Sequence, residues 1–157
     1  MRLVIFRHGQ AENHAASDTA RNLTDKGRAQ VRLMAEKLAK HVPTIDLLWT
    51  SPYTRAQQTR EEALPFFDVL QDEVQEHIKP SGSPKDVLVE INRVLEAQPD
   101  IQTIMLISHQ PLVGTLVNEL CGQRNDYYCM GTASTALIEL EVVANDLGTM
   151  IRFKDGF

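Results

Sequence analysis

Three short segments carry the residue types from which phosphoryl-transfer chemistry can be built. Arg7-His8-Gly9 follows the apolar run Leu3-Val4-Ile5-Phe6, and Ser51-Pro52-Tyr53-Thr54-Arg55 follows Asp46-Leu47-Leu48-Trp49-Thr50. Ser108-His109-Gln110-Pro111 follows Thr103-Ile104-Met105-Leu106-Ile107. The guanidinium forks of Arg7 and Arg55 would grip a dianionic oxygen group bidentately. A neutral imidazole is a competent covalent nucleophile once an acceptor at its other nitrogen fixes the tautomer. A second imidazole, if protonated, would stabilise charge on the transferring group. None of the three segments contains an acidic residue, so a pocket that they share is expected to be strongly positive.

Other readings of these residues compete. Two histidines can bind a metal, but such sites usually add Cys or carboxylate ligands, and neighbouring arginines oppose a cation. Arg55 could be a solvated residue in the first turn of a helix. Its place after a strand and near a helix N-terminus favours a phosphate role. His14, His41 and His77 lack comparable context and are read as surface residues. Cys121 and Cys129 fit no metal spacing and are read as reduced thiols. No Walker A or Gly-x-Gly-x-x-Gly pattern points to a nucleotide.

The elements that must position these groups alternate between strand and helix. The apolar runs at 3–6 and 103–107 predict strands buried on both faces, with a further strand at 46–50 and a short one at 69–74. Thr24 predicts an N-cap for a helix over 24–40, whose apolar face is Val31, Met34, Ala35 and Leu38. A second helix runs from 54 to 64, where Pro65 ends it. Ser83-Pro84 opens a third, with Val87, Leu88, Ile91, Val94 and Leu95 as its stripe. Pro111 opens a fourth that closes at Gly122. Two late strands, 133–142 and 149–153, are joined by the turn Asn145-Asp146-Leu147-Gly148. The alternation predicts an α/β fold with a mostly parallel sheet and an antiparallel hairpin at the end. If the first three polar-ended strands are parallel neighbours, Arg7, His8, Arg55 and His109 converge at their carboxyl ends, where open α/β sheets bind ligands.

The chain has 157 residues, which predicts one domain over 1–157. It carries 43% hydrophobic and 24% charged residues, a globular and not a disordered composition. No apolar run has the length of a membrane span or of a signal peptide, so a cytoplasmic protein is expected. Sixteen basic against 21 acidic residues give a net charge of -5, which argues against general nucleic-acid binding while leaving room for one local phosphate pocket.

Arg7-His8-Gly9-Gln10-Ala11-Glu12, Thr50 to Thr59, and Ser108-His109 together resemble the three motifs of the histidine phosphatase superfamily, to which the cofactor-dependent phosphoglycerate mutases belong. Chain order and strand context match as well. Arg21-Asn22-Leu23-Thr24-Asp25-Lys26-Gly27, Ser108 to Gly114 and the small size are similar to the SixA-type bacterial phosphohistidine phosphatases. The resemblance implies a three-layer α/β/α fold without a metal or organic cofactor. It implies His8 as the phosphate-accepting nucleophile, Arg7, Arg55 and His109 as the rest of the pocket, and Arg21 as a basic residue at its rim. The implied partner is a phosphohistidine-bearing protein, either a phosphotransfer domain or a sugar-phosphotransfer carrier, met by a monomer. Larger members carry a catalytic glutamate on an insert that has no counterpart here, and either Glu76 or His77 could align with an acidic position. A phosphohistidine leaves as an imidazole and needs a strong general acid less than an alkyl phosphate does. A phosphatase for small monoesters and a non-catalytic phosphohistidine-binding module are the alternatives.

Overall fold

A strand in which every side chain is apolar is stable only when both of its faces are covered. β1 (Arg2–Arg7) and β4 (Thr103–Ser108) meet this condition by pairing in parallel at the centre of the sheet, Leu3 opposite Ile104 and Arg7 opposite Ser108. β2 (Thr44–Thr50) flanks β4 in parallel, and β3 (Asp68–Val74) is parallel to β2 at the outer edge. On the other side β5 (Thr135–Glu139) runs antiparallel to β1, and β6 (Thr149–Lys154) antiparallel to β5. The six-stranded order is β3-β2-β4-β1-β5-β6. The computed structural model describes every residue except Asn125 and Phe157.

Alternation along the central strands sends side chains to two helical layers. Val4, Phe6, Met105 and Ile107 pack with Val31, Met34, Ala35 and Leu38 of α1 (Asp25–Ala39) and with Ala56 and Ala63 of α2 (Thr54–Ala63). Leu3, Ile5, Ile104 and Leu106 pack with Val87 and Ile91 of α3 (Pro84–Ala97) and with Leu112, Leu116, Val117 and Leu120 of α4 (Leu112–Leu120). The result is the expected three-layer α/β/α arrangement. Full burial of side chains of this size contributes roughly 1.5–3 kcal/mol each.

The helix ends follow their residues. Thr24 accepts the Gly27 N–H at 3.0 Å as the N-cap of α1, and Ser83 caps α3 with Pro84 at its first position. Gly122, with φ +64, supplies the left-handed residue just beyond α4. One strand is shorter than its composition suggests: β5 covers 135–139 and not 133–142. Ala133 has φ +58, which no strand tolerates, because its N–H is drawn to the His8 carbonyl at 2.9 Å. At the other end Leu140 closes on the Met1 carbonyl.

Candidate active site

The parallel order β2-β4-β1 brings three carboxyl ends side by side, and backbone hydrogen bonds run on past the strands to hold the segments that follow. His8 N–H donates to the Ser108 carbonyl at 3.0 Å, Arg7 N–H to the Ser134 carbonyl at 3.0 Å, and Ser51 N–H to the Ile107 carbonyl at 3.1 Å. Arg7, His8, Arg55 and His109 thereby meet. The rings of His8 and His109 are 5.1 Å apart between centroids. Thr59, fully buried on α2, donates to the Arg55 carbonyl and accepts the Gly9 N–H, locking the helix of Arg55 to the loop of His8.

His8 is 6% exposed. Its Nδ1 lies 2.7 Å from the Gly9 carbonyl oxygen, an acceptor only, so Nδ1 carries the proton and Nε2 bears the lone pair. Arg55 Nε donates to that Nε2 at 3.3 Å. Burial first, then the charges of Arg55, Arg7 and Arg21, pull the His8 imidazole down to about 4, with the Gly9 bond opposing. At neutral pH His8 is therefore an uncharged base whose Nε2 lone pair accepts only the long bond from Arg55.

His109 is 1% exposed and has its Nε2 2.6 Å from Ser51 Oγ, while its Nδ1 is buried with no partner among the described residues. Burial, followed by neighbouring His8 and the arginines, lowers its imidazole to about 2. At neutral pH His109 is therefore neutral, and the charge stabilisation open to a protonated second histidine falls to the arginines. Tyr53 supports it edge-on at 5.2 Å and lies under the Arg55 guanidinium at 5.1 Å.

Arg7 donates from Nη1 to the Met130 carbonyl at 2.9 Å and keeps a buried Nε without a partner among the described residues. Arg55 is buried, at 4% exposure, and is not a solvated helix residue. Arg21 stands at the rim, where Nε donates to the Glu12 carbonyl at 2.6 Å.

The pocket is not free of carboxylate, as the three segments alone suggested. Asp18, on a single 3-10 turn (Asp18–Ala20), accepts from Arg55 Nη2 at 3.3 Å and from Arg21 Nη1 at 3.0 Å. Those arginines hold the Asp18 carboxyl below its ordinary range, the Arg21 bond contributing most, so it is ionised and no proton donor at neutral pH.

Glu76 is exposed and paired with Lys79. His77 is not the surface residue expected. It is half-buried edge-on to Trp49 at 5.9 Å, with its Nε2 buried and unpartnered among the described residues. His14 and His41 are exposed, and both cysteines are free thiols. Among the described residues no group of three or more His, Cys, Asp or Glu is placed to hold a metal ion. A cleft of about 270 Å³ opens beside Arg21 and Asp18. A larger one around Met1 and Leu147 holds none of the pocket's arginines or histidines.

A mostly parallel sheet carries this cluster of arginines and histidines at its carboxyl edge, and the pattern of the histidine phosphatase superfamily (branch 1) matches residues 3–79. The chain belongs to this superfamily. It is 38% identical over 133 residues to the phosphohistidine phosphatase SixA homolog of Haemophilus influenzae, covering 80% of each chain. It is 37% identical over 123 residues to phosphohistidine phosphatase SixA of Escherichia coli, covering 77% of this chain and 74% of that one. The solved structure of the protein histidine phosphatase SixA complexed with tungstate superposes with a TM-score of 0.88 at 32% identity, over 99% of this chain and 97% of that one. A phosphoserine phosphatase of Entamoeba histolytica, 14% identical with a TM-score of 0.72, shares the fold alone.

Proposed function

We propose that this chain is a protein phosphohistidine phosphatase, one histidine phosphatase domain over residues 1–157, that works through a phospho-His8 intermediate. His8 Nε2 attacks the phosphorus of a phosphohistidine. A new N–P bond forms as the substrate's N–P bond breaks, and the substrate imidazole departs with a proton from its own ring or from water. Water then attacks phospho-His8, releasing inorganic phosphate and restoring the neutral imidazole. Arg7 and Arg55 neutralise the phosphoryl oxygens, Arg21 adds charge at the rim, and His109 Nδ1 faces the group as a hydrogen-bond donor.

One observation carries this reading: the Gly9 carbonyl fixes the His8 tautomer so that Nε2, unprotonated, points at Arg55 inside the cluster. The relatives named phosphohistidine phosphatases support the substrate class. So does the state of the carboxylates. Asp18 is held ionised and Glu76 is tied to Lys79, so neither supplies the strong acid that an alkyl phosphate would need. The partner is a phosphohistidine-bearing phosphotransfer domain or phosphocarrier, met in the cytoplasm by a monomer. No helix among the described residues is long and apolar enough to cross a membrane.

Turnover of a phosphorylated histidine protein, compared with an aryl and a sugar phosphate, tests the substrate class. The phosphoprotein is expected to be cleaved far faster. Faster ester cleavage would favour a small-molecule phosphatase, and tight phosphoprotein binding without phosphate release would favour a binding module.

A further inference from the structure

A guanidinium presents Nε and Nη2 along one edge, and this fork takes two oxygens of one carboxylate or phosphoryl group. In Arg55 the fork is divided. Nε points to His8 Nε2 at 3.3 Å, and Nη2 points to Asp18 Oδ2 at 3.3 Å. The second Asp18 oxygen, Oδ1, takes Arg21 Nη1 at 3.0 Å. One carboxylate therefore bridges the two arginines, beside the nucleophilic nitrogen, as two oxygens of a phosphoryl group would.

The two sides of this contact differ in how firmly they are held. The Arg55 side chain is 5% exposed and that of Asp18 is 57% exposed. Arg55 is also anchored independently of the carboxylate, since Nη1 donates to the Asp18 backbone carbonyl at 2.8 Å and Tyr53 lies against its face. The turn that carries Asp18 contains no buried residue, and the cleft lined by Asn13, His14, Ser17 and Arg21 adjoins it. The carboxylate can swing away without unpacking the core, and the arginine stays.

We infer that Asp18 is an exchangeable internal anion, which occupies the Arg55–Arg21 pair and yields it to the arriving phosphoryl group. The inference rests on the proposed phosphoryl site at His8 and Arg55. A phosphoryl group delivered on a protein brings the binding energy of the rest of that partner to the exchange. Inorganic phosphate must displace the carboxylate unaided. Asp18 thus weakens the hold on free phosphate and speeds departure of the product.

The test is the dissociation constant of inorganic phosphate for the intact wild-type chain, Asp18→Asn and Asp18→Ala, with thermal midpoints to verify folding. Both variants are expected to bind phosphate roughly three- to tenfold more tightly, the effect of removing one competing exposed carboxylate. Unchanged or weaker binding in either folded variant would overturn the exchange and make Asp18 a residue that holds the arginines in position. Failure of all three proteins to bind phosphate would overturn the phosphoryl-site reading itself, and the exchange with it.

Discussion

Ser51 Oγ lies 2.6 Å from Nε2 of His109, and neither side chain is reached by solvent. The Tyr53 N–H, a donor only, points at the same hydroxyl at 3.4 Å. The hydroxyl keeps its own proton to donate to His109 Nε2, and in that arrangement the ring proton sits on Nδ1, the buried atom that has no partner among the described residues. In the proposed mechanism Ser51 is a positioning residue, which would aim the His109 donor at the phosphoryl oxygens without touching them. Ser51→Ala should lower kcat by about 10–100-fold, the scale of a misplaced catalytic group, with a smaller change in KM. Ser51→Thr should recover most of the loss. Nitrogen NMR of the His109 ring should find the Nδ1-protonated tautomer in the wild type and a mixture in Ser51→Ala.

The pH dependence follows from the two depressed imidazoles. Protonation of His8 removes the Nε2 lone pair, so kcat/KM should hold steady through neutral pH and fall as pH drops through about 4. Stability has the same sign. The unfolded chain binds protons on these histidines near the ordinary imidazole value of 6.5, while the folded chain resists until about 4 for His8 and about 2 for His109. Stability should therefore decline as pH falls below 6.5 and through 4, a slope that His8→Gln reduces. An activity profile breaking near 6.5 would contradict the buried, neutral nucleophile.

The Arg55 side chain bonds both His8 and Asp18. Lysine in its place keeps the charge and loses the fork. Arg55→Lys should reduce kcat/KM by about 10²-fold, as removal of one preorganised donor does, with little change in thermal midpoint.

Gly27 of α1 packs against the backbone of Gln10, in the loop that follows the nucleophile, and a Cβ there would run into the Gln10 carbonyl. Gly9, beside His8, is equally confined, its own Cβ position lying 2.6 Å from the Gly27 carbonyl oxygen. Gly27→Ala must push this loop away from the helix. The expected cost is about 1–3 kcal/mol, or roughly 2–12 °C in thermal midpoint, together with loss of activity as His8 moves. Calorimetry and steady-state kinetics on one preparation check both.

Much of this architecture was legible because strong local patterns agreed with the global fold. Continuous apolar runs marked β1 and β4 as central strands, and their polar ends marked the sheet edge where the site lies. β3 was fainter because it is an edge strand whose Asp68, Asp72 and Glu73 blunt the apolar signal. β5 was overestimated because the left-handed turn at Ala133 is imposed by a hydrogen bond to His8, a contact across 125 residues. Arg7, His8, Arg55 and His109 stood out by their positions after strands. Asp18 did not: it meets Arg55 only because the loop between β1 and α1 folds back over α2. His77 was misread because its cover, Trp49, comes from β2 and not from its own stretch of chain. Ser51 was visible as a residue, but its bond to His109 depends on the adjacency of β2 and β4.

The central claim is that His8 becomes phosphorylated during turnover. Rapid-quench mixing of the intact protein with a radiolabelled phosphohistidine protein, followed by alkaline gel separation and peptide mapping, measures it directly. The expected result is an acid-labile, alkali-stable label on His8 that appears and decays at rates compatible with turnover, and that is absent in His8→Asn. Phosphate release at an undiminished rate by His8→Asn, or turnover by the wild type without a label on His8, would contradict it.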